Sequence, residues 1–551
     1  MLRVALSALL IVSGCSLLKV PPPATGAVDA GVADAGPVDA GPNCPDPEPF
    51  TGRCMEGLGA SVACPSGAFS TDHAWASEGA SLRFVQAQAT GSGQSADDPA
   101  GSLETALNGA PSGVVVLLGA GTYTVPQTLP GAFSLVGRCA GETTVSLGAR
   151  GPISIGPAAD ANSPTRLWGL TLDGGQLSTE QATIQTQAEA QFELHQAVVR
   201  SLGEGLSLAG QVQISRTTFG AIGGAAIGSR GPISSIIIDD NHFLGPLGGD
   251  GVFLGPLGGD GVFRVAHNTF EAVSGTGIAA RQLGNGIIID DNHFLGPLGG
   301  DGVFLGPAAQ DGTFTVTNNR MSGVAGDGVV LQGVGNSVTV SGNQYSPSES
   351  GLGGTGIALL DIEAGTVTVD NNQITGAVTT GMVVVRVGAA VTLNNNIIDG
   401  TVPPRDLGGN TPPYAYGLLA ADSKNIRMTS NTIKNSGSVG MVHDMLNWGH
   451  YIRRNDLQGS AQLAIVAGNN FSGNGTVDVV TQNESSECTL QLDGIPMASR
   501  PGPQEALPTE RSNGRTTCGD GATTGMEDCD WSDPDTSSVC RADSCELIPG
   551  Q

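Results

Sequence analysis

Three acid–base residues share one position of a repeated sequence pattern. Asp240, His267 and Asp291 each stand immediately before a recurring asparagine, and His242 and His293 follow two of these asparagines. Equivalent positions on stacked coils would lie about 5 Å apart. Two carboxylates that flank an imidazole could bind a metal ion or carry out acid–base chemistry. The alternative is a record of duplication, because turn positions tolerate Asp and His without any function.

A second group of candidate residues lies near the C-terminal end, in a chain that has only five Tyr and four Trp. Aromatic faces beside Arg, His and Asp supply what a sugar-polymer site needs, namely stacking surface, hydrogen-bond donors and an acid or base. The candidate catalytic residues are Asp444, His450 and Arg453. The candidate substrate-binding residues are Tyr414, Tyr416, His443, Trp448, Tyr451 and Arg454. The alternative is a loop that folds its own Pro and Tyr residues over the surface.

Composition restricts the partners and the fold that can position these residues. With 24 Lys and Arg against 51 Asp and Glu, the net charge is −27. This charge repels phosphate backbones, so we expect no nucleic-acid partner. Glycine accounts for 84 of 551 residues and aromatic residues for only 4%. Such a chain cannot fill a thick globular core with large side chains, which favours a thin repeating structure.

The repeat itself is visible in the sequence. The segment IIIDDNHFLGPLGGDGVFLGP occurs at 236–256 and again, unchanged, at 287–307, an offset of 51 residues. A weaker pattern surrounds both copies: two apolar residues two positions apart, then an anchor residue three positions later, then another apolar residue and a Gly-aliphatic pair. The anchors are Thr217, Asn241, Asn268, Asn292, Asn319, Asn343, Asn372, Asn396, Asn431 and Asn455.

Anchor spacings of 24 to 35 residues, with period-two alternation and β-branched enrichment, predict an all-β, right-handed parallel β-helix solenoid. In such a coil an inward Asn stacks on its equivalents in a hydrogen-bonded ladder. We expect the glycine of the Gly-aliphatic pair, at the second turn of each coil, to supply a positive φ. The offset of 51 residues then corresponds to two complete coils.

The segment before the repeat resembles the entry of the right-handed parallel β-helix (pectate-lyase-like) superfamily. Its matching features are Pro99, an amphipathic helix over Leu103–Leu107, the strand Val114–Leu118 and the tripeptide at 121–123. The resemblance covers roughly residues 83–485 and implies polysaccharide-acting relatives, pectate lyases and polygalacturonases, with sites on the outer face of the coils. The sequence lacks the Asn-Thr-Asp, Gly-His-Gly and Arg-Ile-Lys set that polygalacturonases carry.

The N-terminus has the pattern of an export signal. Residues 1–14 predict a signal peptide, and Val12 to Cys15 resemble a bacterial lipobox, whose cysteine receives the lipid. Residues 15–49 predict a lipid anchor and a Pro/Ala/Asp-rich tether. Residues 50–82 form a cysteine-containing segment before the β-helix at 83–497. We therefore expect an outer-membrane lipoprotein, at the cell surface or the periplasmic face, with the lipid bilayer as its partner.

Cysteines in an exported chain favour disulfides. The disulfide candidates are Cys44, Cys54, Cys64, Cys139, Cys518, Cys529, Cys540 and Cys545. After a linker at 498–517, residues 518–551 form a cysteine-rich module that resembles the myxococcal cysteine-rich repeat, opening with Cys-Gly-Asp-Gly. Its carboxylates could bind Ca²⁺, although a solvated acidic loop held by disulfides is the simpler interpretation. Apart from this Ca²⁺ we expect no cofactor.

These patterns predict a surface lipoprotein whose β-helix has a structural, adhesive or polysaccharide-binding role, with polysaccharide or cell-envelope components as possible partners. The alternative is an enzyme, a polysaccharide lyase or glycosidase that acts at the outer face of the C-terminal coils. An enzyme needs carboxylates or arginines at bond-cleaving spacing, whereas a binding protein needs only aromatic and polar groups in a groove.

Overall fold

A computed structural model describes most of the repeat region. Contact clustering divides the chain into one unit of residues 1–56 and 406–412 and another of residues 57–405 and 413–551. The first unit lies outside the described residues. The described residues are 69, 81–125, 132–147, 152–157, 164–175, 181–201, 203–255, 262–282, 286–308, 312–335, 337–347, 353–377, 379–402, 415–421, 423, 426–437, 439–444, 451–458, 463–467, 477–482 and 491–492.

The chain winds through three parallel ladders, so each coil contributes one strand to each ladder in turn. Ladder A precedes the anchor, ladder B follows it, and ladder C carries the Gly-aliphatic pair. The regular in-register pairing of Asp239 with Ala266, and of Ala266 with Asp290, is typical of the stacking. Every pairing between named strands is parallel among the described residues. The predicted all-β parallel β-helix is confirmed.

The strands of ladder A are β1 (Leu82–Val85), β2 (Val114–Leu118), β4 (Phe133–Gly137), β7 (Thr165–Trp168), β10 (Gln191–His195), β12 (Glu204–Ser215), β14 (Ile227–Asp239), β17 (Phe263–Ala266), β20 (Ile287–Asp290), β23 (Thr313–Thr317), β26 (Ser337–Ser341), β29 (Thr366–Asp370), β32 (Ala390–Asn394), β35 (Ile426–Thr429), β38 (Tyr451–Gln458) and β40 (Val477–Gln482). The strands of ladder B are β3 (Gly121–Thr124), β5 (Thr143–Ser146), β8 (Thr171–Asp173), β11 (Val198–Ser201), β13 (Thr218–Ile222), β15 (His242–Phe243), β18 (Thr269–Val273), β21 (His293–Leu298), β24 (Arg320–Val324), β27 (Gln344–Pro347), β30 (Gln373–Thr375), β33 (Ile397–Asp399) and β36 (Thr432–Lys434).

The strands of ladder C are β6 (Ile153–Ile155), β9 (Ala182–Thr186), β16 (Val252–Leu254), β19 (Ile278–Ala280), β22 (Val303–Leu305), β25 (Val329–Gln332), β28 (Ile357–Leu360), β31 (Thr380–Val385), β34 (Tyr416–Ala421), β37 (Val439–Asp444), β39 (Leu463–Ala467) and β41 (Gln491–Leu492). The long strands β12 and β14 also pair in ladder C, and β38 also pairs in ladder B. These strands therefore run through a corner without a break.

One short helix precedes the coils. Helix α1 (Leu103–Leu107) begins after Ser102, whose Oγ accepts a hydrogen bond from the Thr105 backbone N–H at 3.1 Å. A serine at this position satisfies a donor that the first helical turn leaves unpaired. Leu103 and Leu107 are buried against the core, so the helix packs on the first coils. Among the described residues, no helix is long and apolar enough to span a membrane.

The anchor asparagines form the predicted ladder inside the solenoid. Asn292 Nδ2 donates to Asn319 Oδ1 at 2.9 Å and to the Val265 carbonyl at 2.9 Å, and its backbone N–H donates to the same Asn319 oxygen at 3.0 Å. The same bonds recur from Asn241 to Asn396, which donates to Asn431, and all of these side chains are buried. The inward Asn ladder is confirmed, because each buried amide finds partners on both neighbouring coils.

The glycines after the anchors have a different role from the predicted one. Gly251 and Gly302 are not among the residues with positive φ, so the prediction that they supply such a conformation is wrong. A Cβ at Gly251 would lie 2.7 Å from Cδ1 of Phe270, and one at Gly302 would lie 2.9 Å from Sδ of Met321. Glycine makes room for the large side chain that follows the anchor on the next coil.

The residues in that space form a stacked column. Phe219, Phe243, Phe270 and Phe294 stack with ring centroids 4.4 to 4.9 Å apart and nearly parallel planes. All four rings are fully buried. Offset stacking of this kind adds to the free energy gained from burial alone. Four consecutive coils thus share one inner aromatic column.

Candidate functional site

The corner between ladders A and B explains why Asp and His occur before the anchors. Asp240, His267 and Asp291 have φ of 57°, 56° and 48°, which is the left-handed region. Asn318 and Asn371, at the same position of later coils, have φ of 56° and 55°. Asp, Asn and His tolerate this region better than most residues. The turn therefore selects these residue types for conformational reasons, whatever their function.

His267 nevertheless joins an ion-pair chain across the coils. Its Nδ1 lies 2.8 Å from Asp239 Oδ1, and Arg264 Nη1 donates to the same oxygen at 2.9 Å. On the other side His267 Nε2 lies 3.9 Å from Asp291 Oδ2, and His293 Nε2 lies 3.6 Å from Asp291 Oδ1. The acceptor-only carboxylate of Asp239 fixes the proton of His267 on Nδ1 and orients Nε2 toward Asp291.

Two details of the predicted column need correction. The carboxylate that holds His267 on the preceding coil is Asp239, whereas Asp240 pairs with Arg216 at 3.5 Å. His242 is buried, and its Nε2 lies 3.3 Å from Glu271 Oε1. Asp239 reaches His267 because it ends the outward face of β14, one residue before the left-handed turn. Within the described part of the chain, no three His, Cys, Asp or Glu residues are arranged to hold a metal ion.

A second cluster on ladder A was not predicted from the sequence. Arg166 Nε donates to Glu193 Oε2 at 2.8 Å, and the Trp168 and His195 rings lie 4.7 Å apart. His195 Nδ1 is 2.6 Å from Ser215 Oγ. Burial acts to raise the pKa of Glu193, but His195 and Arg166 outweigh it and hold this pKa below its usual value. The cluster therefore keeps an ionised carboxylate beside a half-exposed indole ring.

The repeat pattern did not reveal this cluster, because its coils have no Asn at the anchor position. The residues at that position are Leu170 and Ala197, and the first anchor, Thr217, lies one coil later. What could have revealed the cluster is alternation: Arg166 and Trp168, like Glu193 and His195, point outward on either side of a buried leucine.

Both clusters belong to one stripe on the surface, which we name the corner strip. It consists of the outward residues in the last three positions of the ladder A strands from β7 to β23, together with the left-handed residues that follow them. Neighbouring strands lie about 4.8 Å apart, so six steps span about 29 Å. The residues that end these strands are Trp168, His195, Ser215, Asp239, Ala266, Asp290 and Thr317.

Ladder C presents a contrasting outer face. Between its inward residues lie outward ones that are apolar, and Val330, Ala358 and Val383 are at most 9% exposed. Phe304 and Leu419 pack against them. The superfamily resemblance implies sites on outer faces of the coils, but the described outer face of ladder C from β22 to β34 carries no carboxylate at these positions.

The predicted C-terminal site lies only partly within the described residues. Tyr416 begins β34 and is half-buried, while His443 and Asp444 end β37 on the adjacent rung of ladder C. Tyr451, Arg453 and Arg454 lie on β38, which pairs in ladder A through Tyr451 and Arg453. The candidate residues are thus divided between ladder A and ladder C. The candidates Tyr414, Trp448 and His450 lie outside the described residues.

Comparison with known families agrees with this geometry. The family described as right handed beta helix region matches residues 183–351 and 258–457. The chain contains a right-handed β-helix. No curated protein sequence matches the chain.

Several solved structures resemble the β-helix at low sequence identity. The catalytic unit of an α-1,3-glucanase from Streptomyces thermodiastaticus is 15% identical, covers 72% of this chain and 67% of its own, and has a TM-score of 0.39. The A-module of a mannuronan C-5 epimerase from Azotobacter vinelandii is 16% identical, with coverage of 68% and 91% and a TM-score of 0.33. A periplasmic alginate epimerase is 9% identical, with coverage of 69% and 82% and a TM-score of 0.34.

Proposed function

We propose that the chain is a surface-anchored lipoprotein whose β-helix binds polysaccharide along the corner strip. The observation that supports this most is the strip itself. A half-exposed Trp168 lies at one end, and imidazole, carboxylate and guanidinium groups follow on successive rungs. Stacking surface beside paired polar groups suits the apolar face and the hydroxyl groups of sugars. The rung spacing is comparable to the length of one pyranose unit, so a chain along the strip meets a new side chain at each step.

The anchoring part of the proposal depends on residues 1–49, which lie outside the described residues. Lipid attachment at Cys15, the tether, an outer-membrane location and the cysteine-rich module at 518–551 are all predictions from the sequence. Cys139 is buried, and a disulfide at this residue, which would fit an exported protein, is part of the same proposal. Replacement of Cys15 by Ser should leave the protein unlipidated, and detergent partitioning would measure this. A lipid-labelled, membrane-bound Cys15→Ser protein would contradict the anchor.

Glycan binding can be tested directly on the soluble β-helix protein. Affinity electrophoresis against neutral and carboxylated polysaccharides should detect retention by at least one polymer. Trp168→Ala removes the stacking surface and should weaken retention about tenfold, whereas Trp168→Phe keeps an aromatic face and should lose less. A matched control is Thr368→Val, on ladder A but beyond the strip. Retention of no polymer, or equal retention by Trp168→Ala, would contradict the proposal.

The enzymatic alternative has one observation in its favour. The contact with Asp239 orients His267 so that its Nε2 lies at the surface beside Asp291. General bases use such an arrangement. A polysaccharide lyase creates an unsaturated product and a glycosidase releases a reducing end, so both can be measured on the same polymer panel. Product formation that His267→Ala abolishes would replace the binding role with a catalytic one.

A further inference from the structure

Arg281 occupies an unusual position on the outer face of ladder C. Phe253, Ala279 and Phe304 lie on three successive rungs of this ladder. The guanidinium carbon of Arg281 lies 6.0 Å from the Phe253 ring centroid and 5.2 Å from that of Phe304. The small Ala279 between the two rings leaves room for the guanidinium. Cation–π attraction on both sides holds the charge in a defined place.

This arginine differs from the other arginines of the coils in its partners. Arg166, Arg200 and Arg264 each lie within 2.9 Å of a carboxylate on a neighbouring coil. Arg281 forms no ion pair or hydrogen bond through its side chain with any other described residue. Its carboxylate interaction is the electrostatic one with Asp250, which is weaker than the effect of burial on that carboxyl and involves no direct contact. A guanidinium against aromatic rings still presents its N–H donors in the plane, ready for a bidentate carboxylate.

We propose that Phe253, Arg281 and Phe304 form a binding site for the carboxylate of a uronic acid residue in an acidic polysaccharide. The guanidinium would bind the carboxylate through two parallel hydrogen bonds. Phe304 extends into the apolar face of ladder C, which offers a surface for the C–H face of the same sugar ring. The large negative charge of the protein opposes non-specific retention of a polyanion, so binding of such a chain requires a local cation of this kind.

The inference builds on the proposed polysaccharide-binding role but uses a different face of the solenoid. The corner strip with Trp168 lies at the junction of ladders A and B, whereas Arg281 follows β19 on ladder C. Each site can therefore be removed without touching the other. A neutral glycan held only at the corner strip should be insensitive to Arg281.

The test uses an oligogalacturonate and the same oligomer after reduction of its carboxyl groups, titrated calorimetrically against the full soluble protein. The intact oligomer should bind and the reduced one should bind at least tenfold more weakly. Arg281→Gln should lose about tenfold or more for the intact oligomer, and Arg281→Lys should recover only part of the loss because it cannot form the bidentate pair. Thermal unfolding would confirm that each variant is folded.

Arg320 provides a matched control. It is exposed on β24, and among the described residues its side chain forms no ion pair and no cation–π contact with Phe, Tyr or Trp. Arg320→Gln changes the net charge equally and should leave binding within about twofold. Equal losses in Arg281→Gln and Arg320→Gln, equal binding of the reduced oligomer, or no binding by the native protein would overturn the inference. If Trp168→Ala loses neutral glycans while Arg281→Gln binds as the native protein does, the proposed function stands without this site.

Discussion

The two identical segments at 236–256 and 287–307 carry the same side chains but make different contacts. Asp239 in the first copy accepts hydrogen bonds from Arg264 and His267, whereas Asp290 in the second accepts them from Thr317 at 2.6 Å and Asn318 at 3.1 Å. The first copy's left-handed aspartate pairs with an arginine, and the second copy's faces two imidazoles. Identical sequences have acquired different electrostatic surroundings.

The coils next to each copy account for this difference, and both copies share one neighbour, the single coil between them. It contributes Arg264, His267, Glu271 and Arg281, so charged residues of one coil lie between two copies of the same surface. His267 has an aspartate of each copy on either side, and Arg281 has a phenylalanine of each copy on either side. Duplication has therefore placed equivalent phenylalanines on both sides of Arg281, whereas the two aspartates beside His267 come from different positions of the copies.

The largest expected effect concerns the inner ladder, where the anchor on the coil before the first copy is Thr217 and the anchor on the coil before the second copy is Asn268. Asn292→Leu removes the acceptor of two Asn268 donors, of which Nδ2 keeps its two backbone carbonyls and the backbone N–H is left unpaired. Asn241→Leu removes the acceptor of a single donor on the preceding coil, the backbone N–H of Thr217. We expect a loss of about 3 kcal/mol in unfolding free energy for Asn292→Leu and about 1 kcal/mol less for Asn241→Leu. Thermal or denaturant unfolding would measure both. Equal and negligible losses would contradict the ladder as the main polar contact of the core.

The next effect distinguishes a rigid from a flexible neighbour. Gly251→Ala directs a methyl group at the Phe270 ring, and Gly302→Ala directs one at Met321. Both should destabilise the protein by about 1 to 3 kcal/mol, with Gly251→Ala the worse because a thioether side chain adapts more readily than a stacked ring. Denaturant unfolding measures the two variants. Equal losses would show that the neighbouring carbonyl, which lies 2.7 Å from the added Cβ in both variants, and not the side chain makes glycine necessary.

A smaller effect separates the two aspartates by their chemistry. Asp239→Asn weakens an ion-pair group, and we expect a loss of about 1 kcal/mol that shrinks as salt is added. Asp290→Asn retains an oxygen that accepts from Thr317, so about 0.5 kcal/mol with little salt dependence is expected. Unfolding at low and high ionic strength tests this pair. The same salt response in both variants would mean that the crossing ion pairs contribute nothing in solution.

The smallest effect depends on pH. Burial raises the pKa of Asp250, against lesser opposing effects of the Thr276 N–H and Arg281. The folded protein thus holds this proton more tightly, and the associated stability is present below the ordinary value of 3.8 and is lost as pH rises through the raised pKa. Asp250→Asn removes this loss and should be about 0.5 kcal/mol more stable at neutral pH. The unfolding free energy measured below and above this pH range tests the prediction. If its pH dependence is the same in Asp250→Asn and in the native protein, the burial effect is excluded.

The fold could be predicted from the sequence because its signals repeat. Asn241 to Asn431 recur on every coil, and apolar alternation fixes which face is inward, so the solenoid and its ladder follow from pattern alone. The role of Gly251 could not be predicted, since the side chain that needs its space belongs to the next coil. The backbone φ of Gly251 shows that close packing, and not conformational freedom, is the reason for glycine at this position.

The site was less predictable because it depends on single residues between repeats. Asp240 shares the repeat position of His267, yet the contact is made by Asp239, one residue earlier, where the strand ends and the side chain points outward. Trp168 and Glu193 lie on coils whose anchor positions hold no Asn, so the pattern that located the other coils passed over them. Ladder C carries Arg281 between two phenylalanines that only the three-dimensional stacking brings together.

Removal of residues 236–286 tests the central claim most directly, since it deletes the first copy and the coil between the copies and joins Ser235 to Ile287. We expect the shortened protein to keep its β-sheet circular dichroism and to become about 10 Å shorter by small-angle scattering, because each anchor keeps its neighbour type. It should retain any glycan binding that depends on Trp168 and lose the binding of oligogalacturonate. Loss of β structure would contradict the two-coil register, and undiminished binding of oligogalacturonate would contradict the role of the coil between the copies.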